Sequence, residues 1–161
     1  MCATRLLTRS ARSQFVVSSL ALLAGGVVVV DLLAKILARV TLGTKSVQLA
    51  HGVILRVFEN YRGSFGLGPL WFTVIASIVV LALLFFFIKH PVLSSRKHTM
   101  LAVALLIGGG VANLGERLLF GRTTDLLVFW NLTALNLADV AILLGLALLI
   151  LPVSKAEGRG D

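Results

Sequence analysis

The sequence is short of cysteine, charge and aromatic residues, and each shortage narrows what the chain can be. Cys2 is the only cysteine, which excludes an intrachain disulfide and a metal cage built from cysteines alone. Charged residues make up 14% of the chain against a hydrophobic fraction of 58%, and mean hydropathy is +0.99. A soluble domain of 161 residues has too small an interior to hide that much apolar surface. Aromatics contribute only 7%, so the apolar surface is mostly Leu, Val, Ala and Ile, which suits helices facing lipid. Acidic residues are scarcest, seven against fifteen basic, for a net charge of +8. Such a charge would suit nucleic acid, but its placement does not. Arg5, Arg9 and Arg12 precede the first apolar run, and Lys89, Arg96 and Lys97 separate the second from the third. Basic clusters beside apolar runs are topology signals, and no nucleic-acid partner is expected. HExxH, a P-loop, GxGxxG and a zinc-type Cys/His cluster are all missing from the sequence. His90 and His98 lie in a basic connection and His51 is isolated, so Ser/His catalysis has no support.

What is present is a set of four apolar runs, the pattern of a single membrane domain over residues 1–161. The first covers about 15–38 and is interrupted by Asp31 and Lys35. Its Arg-rich start resembles a secretory signal peptide, but the run continues helically and is long enough to span, so a retained helix is expected. The second, 70–88, carries no charge and is bounded by Pro69 and by Lys89-His90-Pro91. The third runs about 99–121 and turns polar at Asn113, Glu116 and Arg117; the fourth runs about 133–151 and stops at Pro152. Gly108-Gly109-Gly110 in the third reads as close helix packing. Four spans put both termini on one side, with the Arg-rich N-terminus and the 89–98 connection, which the positive-inside rule makes cytoplasmic. The outer segment, about 40–68, is too polar to span. Val53, Leu55 and Val57 alternate with Ile54, Arg56 and Phe58, which predicts a short strand near the membrane surface.

Ionisable groups are costly inside a bilayer, and here they gather at the outer ends of the helices. Asp31 and Lys35 occupy the end of the first helix, and Asn113, Glu116 and Arg117 the outer half of the third. Asp125 follows just beyond it, and Asn136 and Asp139 fall near the start of the fourth. The inner halves carry almost no charge. Asp31 and Lys35, at i,i+4, either neutralise each other or take part in chemistry. Asn113 and Glu116 share a helix face and are suited to joining helices; Arg117 either pairs with Glu116 or another carboxylate or snorkels to headgroups. Asp125 and Asp139 both fall at the outer surface of the expected bundle. Two carboxylates near a low-dielectric boundary do not both ionise cheaply, and a pair sharing one proton can activate water and protonate a leaving amine.

Read in order, the polar segments resemble lipoprotein signal peptidase, the signal peptidase II family. DLLAK (31–35) is similar to the family's Asp-x-x-x-Lys, and ENYRGSFGLG (59–68) to its Asn-x-Gly-x-x-Phe-Gly. GGGVANLGERLLFGRTTDLL (108–127) resembles Gly-Asn-x-x-Asp-Arg-Leu followed by Gly-x-x-x-Asp-Phe, and LNLADVAILLG (135–145) resembles Phe-Asn-x-Ala-Asp-x-x-Ile-x-x-Gly. The pattern departs at Glu116, where the family has Asp, and at Arg62, where it has Gly. Ala112 replaces a Gly, Leu135 replaces a Phe, and the connection from Asp125 to Asp139 looks shorter than usual.

The resemblance implies an all-α membrane protein, four transmembrane helices carrying a small extracytoplasmic β-cradle, in the bacterial cytoplasmic (inner) membrane with its site facing outward. It implies an aspartic endopeptidase that cleaves prolipoprotein signal peptides before the lipid-modified cysteine, with Asp125 and Asp139 catalytic. Asp31, Lys35, Asn60, Phe65, Gly66, Asn113, Glu116, Arg117, Asn136 and Ala138 match positions that support the site or bind substrate. Partners are prolipoprotein signal peptides and membrane lipids; no metal or organic cofactor is expected, and a monomer is. The alternative, prompted by Glu116 and Arg62, is a non-catalytic relative that binds lipidated or transmembrane peptides without cutting them. A transporter or assembly subunit would need ionisable groups along its whole path.

Overall fold

The computed structural model describes residues 2–61, 97–130 and 132–150, with isolated positions between 71 and 86. Twelve of the nineteen positions of the second expected span, 70–88, lie outside the described residues, and so do Arg62, Phe65 and Gly66. The described chain is mostly helical with one small antiparallel sheet. Its elements are α1 (Cys2–Leu42), β1 (Ser46–Ala50), β2 (Val53–Asn60), α2 (Lys97–Phe120), β3 (Thr123–Phe129), β4 (Thr133–Leu135) and α3 (Leu137–Ile150).

α1 is longer than its apolar run predicts. The Arg-rich segment before residue 15 contains no Pro or Gly, so nothing stops the helix from extending to Cys2. Its buried positions, Leu20, Ala24, Asp31, Lys35 and Ala38, recur at helical spacing and form one narrow stripe. The remaining faces are apolar and open: Leu22 is 78% exposed and Val40 79%. Buried charge with exposed leucine inverts the arrangement of a soluble protein. Among the described residues, two helices are long and apolar enough to cross a membrane, Gln14–Leu42 and His98–Phe120; Leu137–Ile150 is a shorter apolar helix.

α2 packs against both other helices through glycine. A Cβ at Gly108 would lie 2.6 Å from the Ala24 carbonyl oxygen of α1, and one at Gly109 would lie 2.5 Å from that of Ala138 in α3. Gly145 of α3 answers from the other side, where a Cβ would come 2.8 Å from the Ala102 oxygen. Small residues let the backbones approach, which is how apolar helices gain dispersion contacts when lipid removes the hydrophobic drive. Nearer the start of α2, Leu20 of α1 meets Val103 and Ala104 of α2, with Val16, Met100 and Ile107 around them.

The four strands form an antiparallel meander in the order β1-β2-β3-β4. The alternation at 53–58 marks part of β2, while β3 was not expected. Five of the seven positions of TTDLLVF are buried, and its three polar residues stand together before four apolar ones, so no alternation marks it. β4 also changes the expected start of the last helix. Residues 133–135 pair with 127–129, so α3 begins at Leu137 rather than near 133. Hydropathy alone does not separate a short buried strand from the helix it precedes. At the far end of the sheet, the Trp130 N–H donates to the Gly52 carbonyl at 2.6 Å, and its indole occupies the space a Cβ on Gly52 would need. That contact ties the β1–β2 turn to the β3–β4 turn.

Candidate active site

The site is assembled where three chain ends meet: the start of α3, the end of α2 and the first half of β3. At α3, Asn136 and Asp139 form a reciprocal cap. Asn136 Oδ1 accepts from the Asp139 N–H at 2.9 Å, and Asp139 Oδ2 accepts from the Asn136 N–H at 3.1 Å. The spacing is that of a capping box with Asp in the third position, worth roughly 1 kcal/mol. It also fixes the Asp139 carboxylate against the helix end.

Asp31 completes this helix start from α1, accepting the Ala138 N–H on Oδ1 at 2.9 Å. Its other oxygen is 2.6 Å from Lys35 Nζ, which also lies 2.8 Å from Glu116 Oε2 on α2. Lys35 and Asp31 are each about 2% exposed. The i,i+4 pair therefore does more than neutralise itself: it links α1, α2 and α3.

Glu116 in turn holds β3. Its Oε2 accepts the Thr124 N–H at 3.0 Å and its Oε1 the Thr124 hydroxyl at 2.6 Å. The chain reaches that position through Gly121, whose φ of 69° and N–H bond to the Arg117 carbonyl at 2.9 Å end α2 in a left-handed turn. Arg117 is buried and its Nη2 lies 3.5 Å from Thr123 Oγ1, within electrostatic reach of both Asp139 and Asp125.

Asp125 sits two residues along the strand, 2% exposed. In the β2–β3 register Asn60 pairs with Thr123, so Asn60 and Asp125 are diagonal neighbours on one face. Asn60 Nδ2 donates to Asp125 Oδ2 at 3.0 Å, and Asn136 Nδ2 donates to Asp125 Oδ1 at 2.9 Å. The Asn136 amide also donates to Asn113 Oδ1 at 3.0 Å, and Asn113 Nδ2 donates to Asp139 Oδ1 at 2.8 Å. Asp125, Asn136, Asn113 and Asp139 thus form one hydrogen-bonded chain, with Asn136 touching both carboxylates. Neutral amides orient the two acids without cancelling their charge.

Burial pushes the Asp125 carboxyl up to about 6; the charge of Asp139 adds to the rise, while bonds from Asn60 and Asn136 and the Lys35 charge oppose it. At that value Asp125 can both keep and release a proton near neutrality. An acid that exchanges a proton beside a second, fixed carboxylate can move protons on and off a water and a peptide group. Among the described residues no group of three or more His, Cys, Asp and Glu is placed to hold a metal ion.

Of the residues singled out from the sequence, Asp31, Lys35, Asn60, Asn113, Glu116, Arg117, Asp125, Asn136, Ala138 and Asp139 converge here. Arg39, Thr123 and Thr124 were not singled out. Arg39 continues the four-residue stripe of Asp31 and Lys35, a signal in the sequence; the two threonines carry no such mark.

The profile of the family described as signal peptidase (SPase) II matches residues 9–155. The chain is 31% identical to the lipoprotein signal peptidase of Halothermothrix orenii over 140 residues, covering 84% of this chain and 94% of that one. It is 30% identical to that of Symbiobacterium thermophilum over 143 residues (83% and 92%), and 34% identical to that of Cronobacter sakazakii over 137 residues (78% and 82%). A bacterial membrane enzyme solved by the in meso method at 1.9 Å shares the fold, with TM-score 0.72 at 24% identity over 86% of this chain and 94% of that one. A second such structure, at 2.3 Å, gives TM-score 0.69 over 83% and 85%. The chain that builds this paired-aspartate site belongs to the signal peptidase II family.

Proposed function

We propose that the chain is a membrane aspartic endopeptidase that cleaves prolipoprotein signal peptides before the lipid-modified cysteine. Asp125 holds the shared proton and Asp139 is ionised. Asp139 takes a proton from water as the water oxygen attacks the scissile carbonyl, and Asp125 gives its proton to the carbonyl oxygen. The tetrahedral intermediate then collapses: its hydroxyl proton returns to Asp125, the C–N bond breaks, and Asp139 delivers its proton to the leaving amine. Both carboxyls end as they began. Every proton in this scheme moves between the two acids, the water and the peptide. The observation that carries the reading is the chain of hydrogen bonds joining Asp125 to Asp139 through Asn136 and Asn113.

The remaining framework follows from the same reading. Four helices span the bacterial inner membrane with both termini in the cytoplasm, and the site faces outward at the membrane surface. Substrate enters with its own transmembrane signal segment, and β2 lies over it. Glu116 keeps the role of an acidic anchor, since it is held by Lys35 and by Thr124.

Expression in bacteria depleted of their own signal peptidase II tests this. The wild-type chain is expected to restore prolipoprotein processing, and Asp125→Asn or Asp139→Asn to abolish it. Equal processing by wild type and either variant would remove the aspartates from the chemistry.

A further inference from the structure

Arg39 lies one helical turn beyond Lys35 at the outer end of α1, with 39% of its side chain exposed. It has the look of a flanking surface charge, but its contacts point inward. Its Nη2 donates to Thr124 Oγ1 and lies 3.5 Å from Glu116 Oε1. Thr124 is fully buried, and its hydroxyl is then used twice, accepting from Arg39 and donating to Glu116. With its N–H also on Glu116, the residue before Asp125 is clamped on backbone and side chain together.

Charge balance gives a second, independent reason for Arg39 to be there. The α1–α2 contact buries two carboxylates, Asp31 and Glu116, against one ammonium, Lys35. A buried excess anion is costly unless a partner offsets it. Arg39 supplies the second cation, while buried Arg117 feels Asp139 and Asp125 ahead of Glu116. Among the described residues, Asn60 on β2, Asn113 on α2 and Asn136 and Asp139 on α3 bond with Asp125 and one another instead. Glu59 is engaged elsewhere, 3.0 Å from Arg122. The extra methylene of Glu116, relative to the Asp of the family pattern, gives one carboxylate the reach to meet Lys35, Arg39 and Thr124.

We propose that Arg39 is a positioning residue for Asp125, acting through Thr124 and Glu116. It rests on the catalytic reading of Asp125, so the test has one arm that needs no activity. Arg39→Met, Arg39→Lys, Glu116→Asp and the double variant Arg39→Met/Glu116→Asp are compared as full-length protein in detergent. Cleavage of a lipidated signal-peptide substrate gives kcat and KM, and amide hydrogen exchange is followed over the peptide containing 123–129. Arg39→Met is expected to lower kcat about five- to tenfold with KM unchanged, the size of one lost ordinary hydrogen bond. Exchange at 123–129 is expected to quicken several-fold while that of α3 stays as it was. Arg39→Lys recovers most of both. Glu116→Asp withdraws the carboxylate from Arg39 but leaves its bond to Thr124, so the two substitutions together are expected to cost less than the sum of each alone. Additive effects of the two substitutions, or unchanged kcat and exchange in Arg39→Met, would overturn the proposal. If the wild-type chain cleaves nothing, the catalytic reading fails, and the exchange cycle still decides whether Arg39 clamps β3.

Discussion

Asn60→Ala removes one of the two amides that hold Asp125, and its effect on the pH profile follows from the site's geometry. The lost bond is the 3.0 Å contact from Asn60 Nδ2 to Asp125 Oδ2. A hydrogen bond to an ionised carboxylate contributes about 1.5–3 kcal/mol and one to a neutral carboxyl about 0.5–1.5, so the difference is roughly 1–1.5 kcal/mol. At 1.36 kcal/mol per unit this is about one unit of pKa. The sign is upward, because the donor favours the ionised form and its loss favours the protonated one. Asp125 starts at about 6 and is the proton-holding member of the pair, so its ionisation sets the alkaline limb of kcat/KM. That limb is expected near pH 6 in the wild type and near pH 7 in Asn60→Ala. The assay is cleavage of a lipidated peptide in detergent across pH 4–9, scored by mass spectrometry. Thermal stability carries the same signature. Because the folded pKa of Asp125 lies above the ordinary 3.8, its protonated form stabilises the fold. That contribution is full below 3.8, is lost as pH rises through about 6, and stays flat above. An alkaline limb that stays put or moves down in Asn60→Ala would refute the reasoning.

Asn136→Ala loses the α3 cap and the bonds to Asp125 and Asn113 together, so kcat should fall at least about a hundredfold and Tm should drop. Gly109→Ala places a methyl 2.5 Å from the Ala138 oxygen, which should separate α2 from α3 at a cost of about 1–3 kcal/mol, seen as a lower Tm. Asp31→Ala strands the buried Ala138 N–H and unbalances Lys35, a loss of roughly 3–5 kcal/mol. Asp31→Asn keeps the acceptor for that N–H and should be milder in the same melting assay.

Much of the site was readable in order along the chain because its chemistry is expensive. Asp31, Lys35, Asn113, Glu116 and Arg117 stand out in apolar segments where bare polar groups are not tolerated, and Asn136 and Asp139 fall near the start of the last apolar run. What those positions did not reveal was partnership. Asp31 and Lys35 at i,i+4 look like a self-contained pair, and only the three-dimensional arrangement shows Asp31 capping α3 and Lys35 crossing to Glu116. β3 was hidden for a different reason. A strand covered on both faces has no polar alternation, and its partner β2 lies more than sixty residues earlier, beyond the reach of any local pattern. β4 lay inside what hydropathy takes as the start of a helix. Arg39 was passed over because a basic residue at the end of an apolar run reads first as a topology signal.

The central claim is that Asp125 and Asp139 together hydrolyse a peptide bond. The most direct measurement is mass spectrometry of a synthetic lipidated signal peptide incubated with purified wild type, Asp125→Asn and Asp139→Asn, each shown to be folded by its melting curve. The account predicts a single cut before the lipid-modified cysteine by the wild type and a loss of at least about a thousandfold in each variant. Cleavage at a comparable rate by either folded variant would contradict it.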